Sequence, residues 1–472
     1  MSGLFGSLNA AASALQAQSL AVSITGKNLA NANNAGYSRE VVNYSAGATV
    51  VTPQGAQSLG LMTSVTQVRD TLLDRQVLHE SSLSSYYTTQ QSALEDAQAG
   101  LGQNISSASS TGATATTTTD TGIGAALDDF FNGFQAVASN PTDTGSRQAL
   151  ISSAGILADR MQQADASLAQ AQADLGTQVS TSATSANTLL QTVAGLNSQI
   201  ARIEAAAPGS AVDLRDQRQA ALEQLAALMP VTVTDTGGGQ VQVSAVDGSG
   251  SPVVLVNQGT VNGAVAISGA QITAGSPATV LALTGGSMQG AIDASTGPIQ
   301  TLRTQLDQLA GQVVTSVNAL YNPTGTTGNF FTASGTTAGT MSVDSSLTAA
   351  GLTPGAGGAA GDNTVALAIA NLANTKFSIA SGDLINGTIG GAFASNVTQF
   401  GQAVSTVNSN VTNQTNIETL VRGQRDSVSG VNLDEETANL LKYQRAYEAS
   451  SRVLQTIDTM LNQVINNLGV GT

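Results

Sequence analysis

The chain of 472 residues contains no cysteine and no tryptophan, one histidine and 3% aromatic residues. Absence of cysteine removes disulfides, thiol nucleophiles and thiolate metal sites together. With His79 as the single histidine, a zinc cluster or a nucleophile–histidine pair has no second member. Only Lys27, Lys376 and Lys442 are lysines, and 31 acidic against 16 basic residues give a net charge of −15. Nucleic acid and anionic membrane are poor partners for such a chain, because binding to either rests on clustered Lys and Arg. Apolar runs of about 18 residues are missing too, so no membrane-spanning helix is expected. The opening MSGLFGSLNAAASALQAQ has neither a basic start nor a continuous apolar stretch, which argues against a cleaved signal peptide.

What the chain does have is Ala, Ser, Thr, Gln, Asn and 50 glycines, with 41% hydrophobic residues, enough to build cores from Leu, Val, Ile and Ala. Its two ends carry heptads. Leu8, Leu15, Val22 and Leu29 recur every seven residues, with Leu4 and Ala11 beside them, and predict an amphipathic helix over about 4 to 31. At the other end Leu433, Leu440, Tyr447, Leu454, Leu461 and Leu468 are seven apart, and Tyr443, Ile457 and Val464 fall three further on. Asn432 reads as the N-cap of that helix, and Asp434, Glu435 and Glu436 as its acidic first turn. A seven-residue repeat marks a coiled-coil seam, so the two ends are expected to pair. Val453 and Met460 lie beside the seam, leaving apolar surface for neighbouring copies.

Between the ends, helices are expected over about 69 to 99, 124 to 139, 144 to 206, 213 to 228, 298 to 321 and 389 to 426. The stretch 104 to 120 reads as a loop. After Pro230 the period changes to two, and VTVTD, QVQVSAV, PVVLVNQ, AVAIS and ATVLALT read as short strands. The expected fold is mainly α with a β insertion. It comprises a terminal coiled-coil domain (1–45 and 427–472), a helical bundle (46–230 and 291–426) and an inserted β domain (231–290).

Chemistry has few candidates. His79 lies in a helical segment, and Asp128 with Asp129 reads as a solvated face rather than a glycosidase pair. The run Gly237 to Gly239 lacks the Lys and Ser/Thr of a phosphate loop and reads as a hairpin turn. VDGSGS has one acid and is no calcium loop. No catalytic, cofactor or metal residue is therefore expected, and the chain is not read as an enzyme.

The stretch NLANANNAGYSRE (28–40) interrupts the first helix. Asn and Gly tolerate left-handed conformations and are expected to stop it there. With the heptads, this stretch resembles the N-terminal signature of bacterial flagellar rod, hook and hook-associated axial proteins. Asn31, Asn33, Gly36, Tyr37 and Arg39 fit that signature, while Asn34 and Ala35 stand where Thr and Pro are common in the family. The C-terminal SGVNLDEETANLLKYQRAYEASSRVLQTIDTMLNQVINNLG is similar to the hook-associated branch of the family, as are DLRDQRQAALEQLAAL and GGSMQGAID.

The resemblance implies a structural subunit of the flagellum, located outside the cell at the hook–filament junction and exported by the flagellar type III apparatus. It implies a ring of copies in contact with hook protein and the second junction protein. A cytosolic export chaperone is implied at the C-terminal helix from Leu433 to Leu468. Another axial protein, such as flagellin, the second junction protein, a rod or a hook protein, is the nearest alternative. A secreted adhesin or effector is the reading from a different class.

Overall fold

The computed structural model describes residues 2–34, 36–46, 49–52, 55–58, 61–100, 122–325, 328–357, 359 and 361–468. The stretch 104–120 lies outside the described residues, as do Ala35 and the side chains of Leu4 and Leu468. The architecture is mainly helical with small antiparallel sheets. The chain divides into two compact units, one holding 1–84, 183–286 and 415–472, the other 85–182 and 287–414.

In chain order the elements begin with helix α1 (Ser2–Ala30), strands β1 (Glu40–Ala46), β2 (Thr49–Thr52), β3 (Gly55–Ser58) and β4 (Leu61–Gln67), and helix α2 (Thr71–Gly100). Helices α3 (Ile123–Ser139), α4 (Thr144–Glu204) and α5 (Val212–Leu228) follow. Seven strands come next: β5 (Thr232–Gly237), β6 (Gln240–Val246), β7 (Pro252–Asn257), β8 (Thr260–Val261), β9 (Ala266–Ser268), β10 (Gln271–Ala274) and β11 (Thr279–Val280). Helices α6 (Gly286–Ala294), α7 (Gln300–Tyr321), α8 (Thr364–Asn371), α9 (Ile389–Ser429) and α10 (Leu433–Leu468) complete the chain.

The first unit pairs the two ends of the chain, α1 packing along α10. Their direction is antiparallel, because Asn28 near the end of α1 meets Glu436 near the start of α10. Small residues line the buried side of α1: Ala11, Ala17, Ala21 and Thr25 are all under 9% exposed. Side chains of this size let two helix backbones approach closely. Beyond α1 the chain forms the long hairpin β1–β4, with Val42 opposite Val65, and the shorter hairpin β2–β3. The helical bundle expected from residue 46 onward did not include these strands.

Strands β5 to β8 form a four-stranded antiparallel meander, and β9 to β11 a second small sheet. Gly238 and Gly239 turn the β5–β6 hairpin with φ of +60° and +76°, the two positive angles that a tight hairpin of matching twist requires. Two asparagines of α4 hold these strands to the helix. Asn197 Nδ2 donates to the Val241 and Gln258 carbonyls at 2.7 and 2.6 Å, while its Oδ1 accepts the Val241 amide. Asn187 makes the same two-way pair with the backbone of Val265, both bonds 2.8 Å. A side-chain amide is the right group for this, since it carries one donor and one acceptor side by side like the peptide it replaces.

The second unit has an aromatic centre, in a chain poor in aromatics. Phe130 and Phe134 of α3 meet Phe330, Phe130 also meets Phe331 and its neighbour Phe131, and Tyr321 of α7 lies against Phe330. Five of the nine phenylalanines thus sit in one cluster. Most pairs are edge-to-face at 5.0 to 5.9 Å, the geometry the ring quadrupoles prefer. Asn318 Oδ1 caps the cluster by accepting the amides of Phe330 and Phe331.

Candidate functional site

The end of α1 is where the sequence signature begins and where the buried stripe turns polar. Asn28 continues the stripe of Ala17, Ala21 and Thr25 and is 1% exposed. Every group of its amide is used. Nδ2 donates to the Glu40 carbonyl at 2.9 Å and to Glu436 Oε2 at 3.0 Å. Oδ1 accepts the Tyr37 hydroxyl at 2.7 Å and the Glu40 amide at 3.0 Å. One side chain therefore ties together the end of α1, the signature loop, the first residue of β1 and the start of α10.

Charged pairs surround this centre. Arg39 Nε donates to Glu436 Oε1 at 2.8 Å, Arg39 Nη2 lies 3.1 Å from Glu435 Oε1, and the Arg39 amide donates to the Ser429 carbonyl at 2.8 Å. Lys27 Nζ is 2.5 Å from Glu40 Oε1 and 2.5 Å from Asp213 Oδ1. Burial pulls the Lys27 ammonium down, but hydrogen bonds to Asp213 and Glu40 outweigh it and hold its pKa above the ordinary lysine value. Burial, reinforced by the charge of Glu40, pushes the Tyr37 phenol well up, so it remains a donor to Asn28. Further along α9, Arg422 and Arg425 both reach Glu223 of α5, at 3.0 and 2.7 Å.

The start of α10 is built as its sequence suggests. Asn432 Oδ1 accepts the amides of Asp434 and Glu435 at 3.0 and 3.3 Å, the N-cap arrangement. Glu435 and Glu436 serve a second purpose here, since their carboxylates pair with Arg39. The stop after α1 is made differently from the expectation. Outside glycine, the described residues hold a positive φ only at Gln258, so Asn31, Asn33 and Asn34 do not end the helix in a left-handed conformation. Asn31 Nδ2 instead donates back to the Lys27 carbonyl at 3.0 Å, and turns close from Asn34 to Asn31 and from Tyr37 to Asn34. Asn31, Asn33, Asn34 and Tyr37 line an open polar cleft of about 490 Å³ with Gly430 and Asn432 on its other side.

The heptad residues are only partly covered. On α1, Leu8, Leu15 and Val22 are half-buried and Leu29 is exposed. On α10, Ile457 is buried, Leu440, Tyr443, Leu454 and Leu461 are half-buried, and Leu433, Tyr447 and Val464 are exposed. Leu441, Val453 and Met460 add to the exposed set, with Leu441 58% exposed. Asn28, Glu40, Asp213, Glu435 and Glu436 were not singled out as a joint by the sequence. The sequence held no separate signal for them, because Asn28 reads like any asparagine on a helix until its burial is known.

None of the catalytic candidates weighed from the sequence belongs to this joint. His79, Asp128 and Asp129 are exposed. Among the described residues no three His, Cys, Asp or Glu gather as a metal site, and no helix is long and apolar enough to cross a membrane.

A comparison with protein families matches residues 109–331 to the helical domain of the flagellar hook-associated protein FlgK. Residues 423–468, which hold α10, match the C-terminal family of the flagellar basal body rod FlgEFG proteins. Flagellar hook-associated protein 1 of Bacillus subtilis is 26% identical over 529 aligned positions covering 100% of both chains. The chain is similar along its whole length to flagellar hook-associated proteins. Flagellar hook-associated protein 1 of Salmonella typhimurium is 25% identical, covering 97% of this chain and 99% of that one, and its Escherichia coli counterpart is 24% identical with the same coverage. The flagellar hook junction protein FlgK of Burkholderia pseudomallei aligns over 55% of this chain and 46% of its own, with 23% identity and a TM-score of 0.45, which carries no argument about the fold. These likenesses make the chain a structural protein of the flagellum and not an enzyme.

Proposed function

We propose that the chain joins hook to filament as a ring of identical subunits whose terminal helices pack side by side into a tube. In this reading residues 1–45 and 427–472 form the assembly domain, 46–230 and 291–426 the bundle, and 231–290 an inserted β domain. Leu4, Leu8, Leu15, Val22 and Leu29 on α1, and the stripe from Leu433 to Leu468 on α10, face neighbouring copies. The observation that carries the reading is the incomplete cover of α10. Leu433, Leu441, Tyr447, Val453, Met460 and Val464 stay exposed after α1 has packed against it, and apolar surface of that extent on one helix calls for a partner.

Export proceeds unfolded through the flagellar type III apparatus, with a dedicated cytosolic chaperone covering the same face of α10 until assembly. Hook protein and the second junction protein are the axial neighbours. Electron microscopy of flagella from a strain lacking the gene, with flagellin assayed in the medium, tests the junction role. Intact hooks without filaments, with flagellin lost to the medium, are expected. Missing hooks would place the chain in the rod or hook instead, and normal filaments would overturn the proposal.

A further inference from the structure

Thirteen of the sixteen basic residues are arginines, and four of them, Arg69, Arg75, Arg215 and Arg218, line one cavity of about 520 Å³ in the first unit. In a chain of net charge −15 this is a local reversal of sign. Two of the four are already matched. Arg215 pairs with Glu204 through two bonds of 2.7 Å, and Arg69 lies 3.3 Å from Asp74. The other two have no carboxylate within 4.0 Å among the described residues. Arg75 is exposed and donates from Nε to the Thr71 carbonyl at 3.2 Å.

Arg218 is 8% exposed and, among the described residues, bonds through Nη1 alone, which donates to Asn197 Oδ1 at 2.8 Å and to the Gly239 carbonyl at 2.6 Å. Burial, with Arg215 and Arg69 nearby, lowers its pKa to about 10 despite the opposing charges of Asp235 and Glu204. A guanidinium this buried with no carboxylate in ion-pair contact is the kind of group a bound anion relieves.

The lining also limits the ligand. Asp74 is held by Arg69, so Asp235 is the one lining carboxylate outside an ion pair, and two unmatched guanidiniums face one unmatched carboxylate. Room remains for a single further negative charge. The remaining wall is apolar, with Leu78, Leu222, Val233 and Val241, and the volume falls in the range of small-molecule sites. We propose that this cavity binds a small organic acid, its carboxylate between Arg75 and Arg218 and its short hydrocarbon body against Leu78, Leu222 and Val241. The planar fork of arginine matches a carboxylate through two parallel bonds, and a single charge with an apolar body fits these walls better than a multiply charged, fully hydrated phosphate.

Calorimetric titration of the full-length chain with hexanoate tests this, with 1-hexanol and inorganic phosphate as comparison probes. Saturable binding of hexanoate with a Kd of about 1 mM or tighter is expected, weakened by about tenfold or more in Arg75→Gln, whose exposed position leaves the fold intact. Arg218→Gln, checked for folding by circular dichroism, is expected to lose binding as well. No binding of hexanoate by the unmodified chain overturns the proposal, as does equal affinity in both variants. Hexanol binding as tightly as hexanoate would show an apolar cavity with no role for the arginines, and phosphate binding more tightly than hexanoate would overturn the carboxylate assignment.

Discussion

Asn28 and Glu436 stand 408 positions apart in the chain, and their side chains meet at 3.0 Å in a buried contact. This contact fixes the relation between the end of the first helix and the start of the last one. Asn28 also bonds Tyr37 and both backbone groups of Glu40. Replacing it leaves several buried groups without partners, which costs more than the bonds themselves are worth. Asn28→Ala is expected to destabilise the α1–α10 pair by about 3 kcal/mol. Hydrogen exchange should show lost protection in α1 and α10 with the amides of α3 and α7 unchanged; unchanged protection in α1 would contradict the network's role.

Exposure separates folding from assembly on α10. Leu441 is 58% exposed, so Leu441→Glu is expected to change stability by less than about 0.5 kcal/mol yet to abolish motility. Charged replacements at Leu454 and Leu461 together, both half-buried, should abolish assembly and also loosen the helix pair, while the β strands remain folded. Swimming assays and thermal denaturation of the purified variants check both, and normal motility in either case would count against the proposed packing face.

Acid should strengthen one part of the joint. Burial pushes the Asp216 carboxyl up to about 6, and Arg69, at 3.8 Å, is too far to offset it. Glu40 adds to the upward shift, while hydrogen bonds from the Ser38 amide and Gln67 oppose it. A raised carboxyl pKa means the folded state binds the extra proton. The contribution is therefore fully present below about 3.8 and is lost as pH rises through about 6. Its size is at most about 3 kcal/mol, from a shift of roughly two pKa units. Glu204, whose pKa is held low chiefly by Arg215, works in the opposite direction below its ordinary range. Asp216→Asn should flatten the stability profile between pH 4 and 6 in chemical denaturation, and an unchanged slope would contradict the assignment.

The aromatic centre of the second unit gives a stability prediction. Phe330 is fully buried and touches Phe130, Phe134, Phe331 and Tyr321. Phe330→Ala is expected to cost about 3 to 5 kcal/mol, read from denaturation of the second unit, with α1 and α10 retaining their protection.

Local signals were legible in the sequence and distant ones were not. Residues 433 to 468 could be read as a helix because a heptad, an N-cap at Asn432 and an acidic first turn agree with one another. The switch of period after Pro230 located the strands β5 to β7 for the same reason. The hairpin β1–β4 was missed because its register joins Val42 to Val65 across a stretch of mixed Ser, Gly and Thr, and neither strand announces the other. Asn28, Asn187 and Asn197 look alike in sequence to any asparagine on a solvated helix face. Their role exists only once β1, β6 and the loop at Val265 have been brought to them. Within the heptads the sequence located the helices, while the stripe buried inside the chain on α1 runs through Ala17, Ala21, Thr25 and Asn28 instead of the leucines.

The absence of native cysteine allows a direct test of the central claim that the exposed face of α10 meets neighbouring copies in the flagellum. Single Val453→Cys and Met460→Cys chains would be produced in a strain lacking the native gene, and their isolated flagella treated with a short bismaleimide, with Asp128→Cys as the comparison. The account predicts a ladder of cross-linked multimers for Val453→Cys and Met460→Cys and mostly monomer for Asp128→Cys. Equal cross-linking at all three positions, or none at the two α10 positions in flagella that do contain the chain, would contradict it.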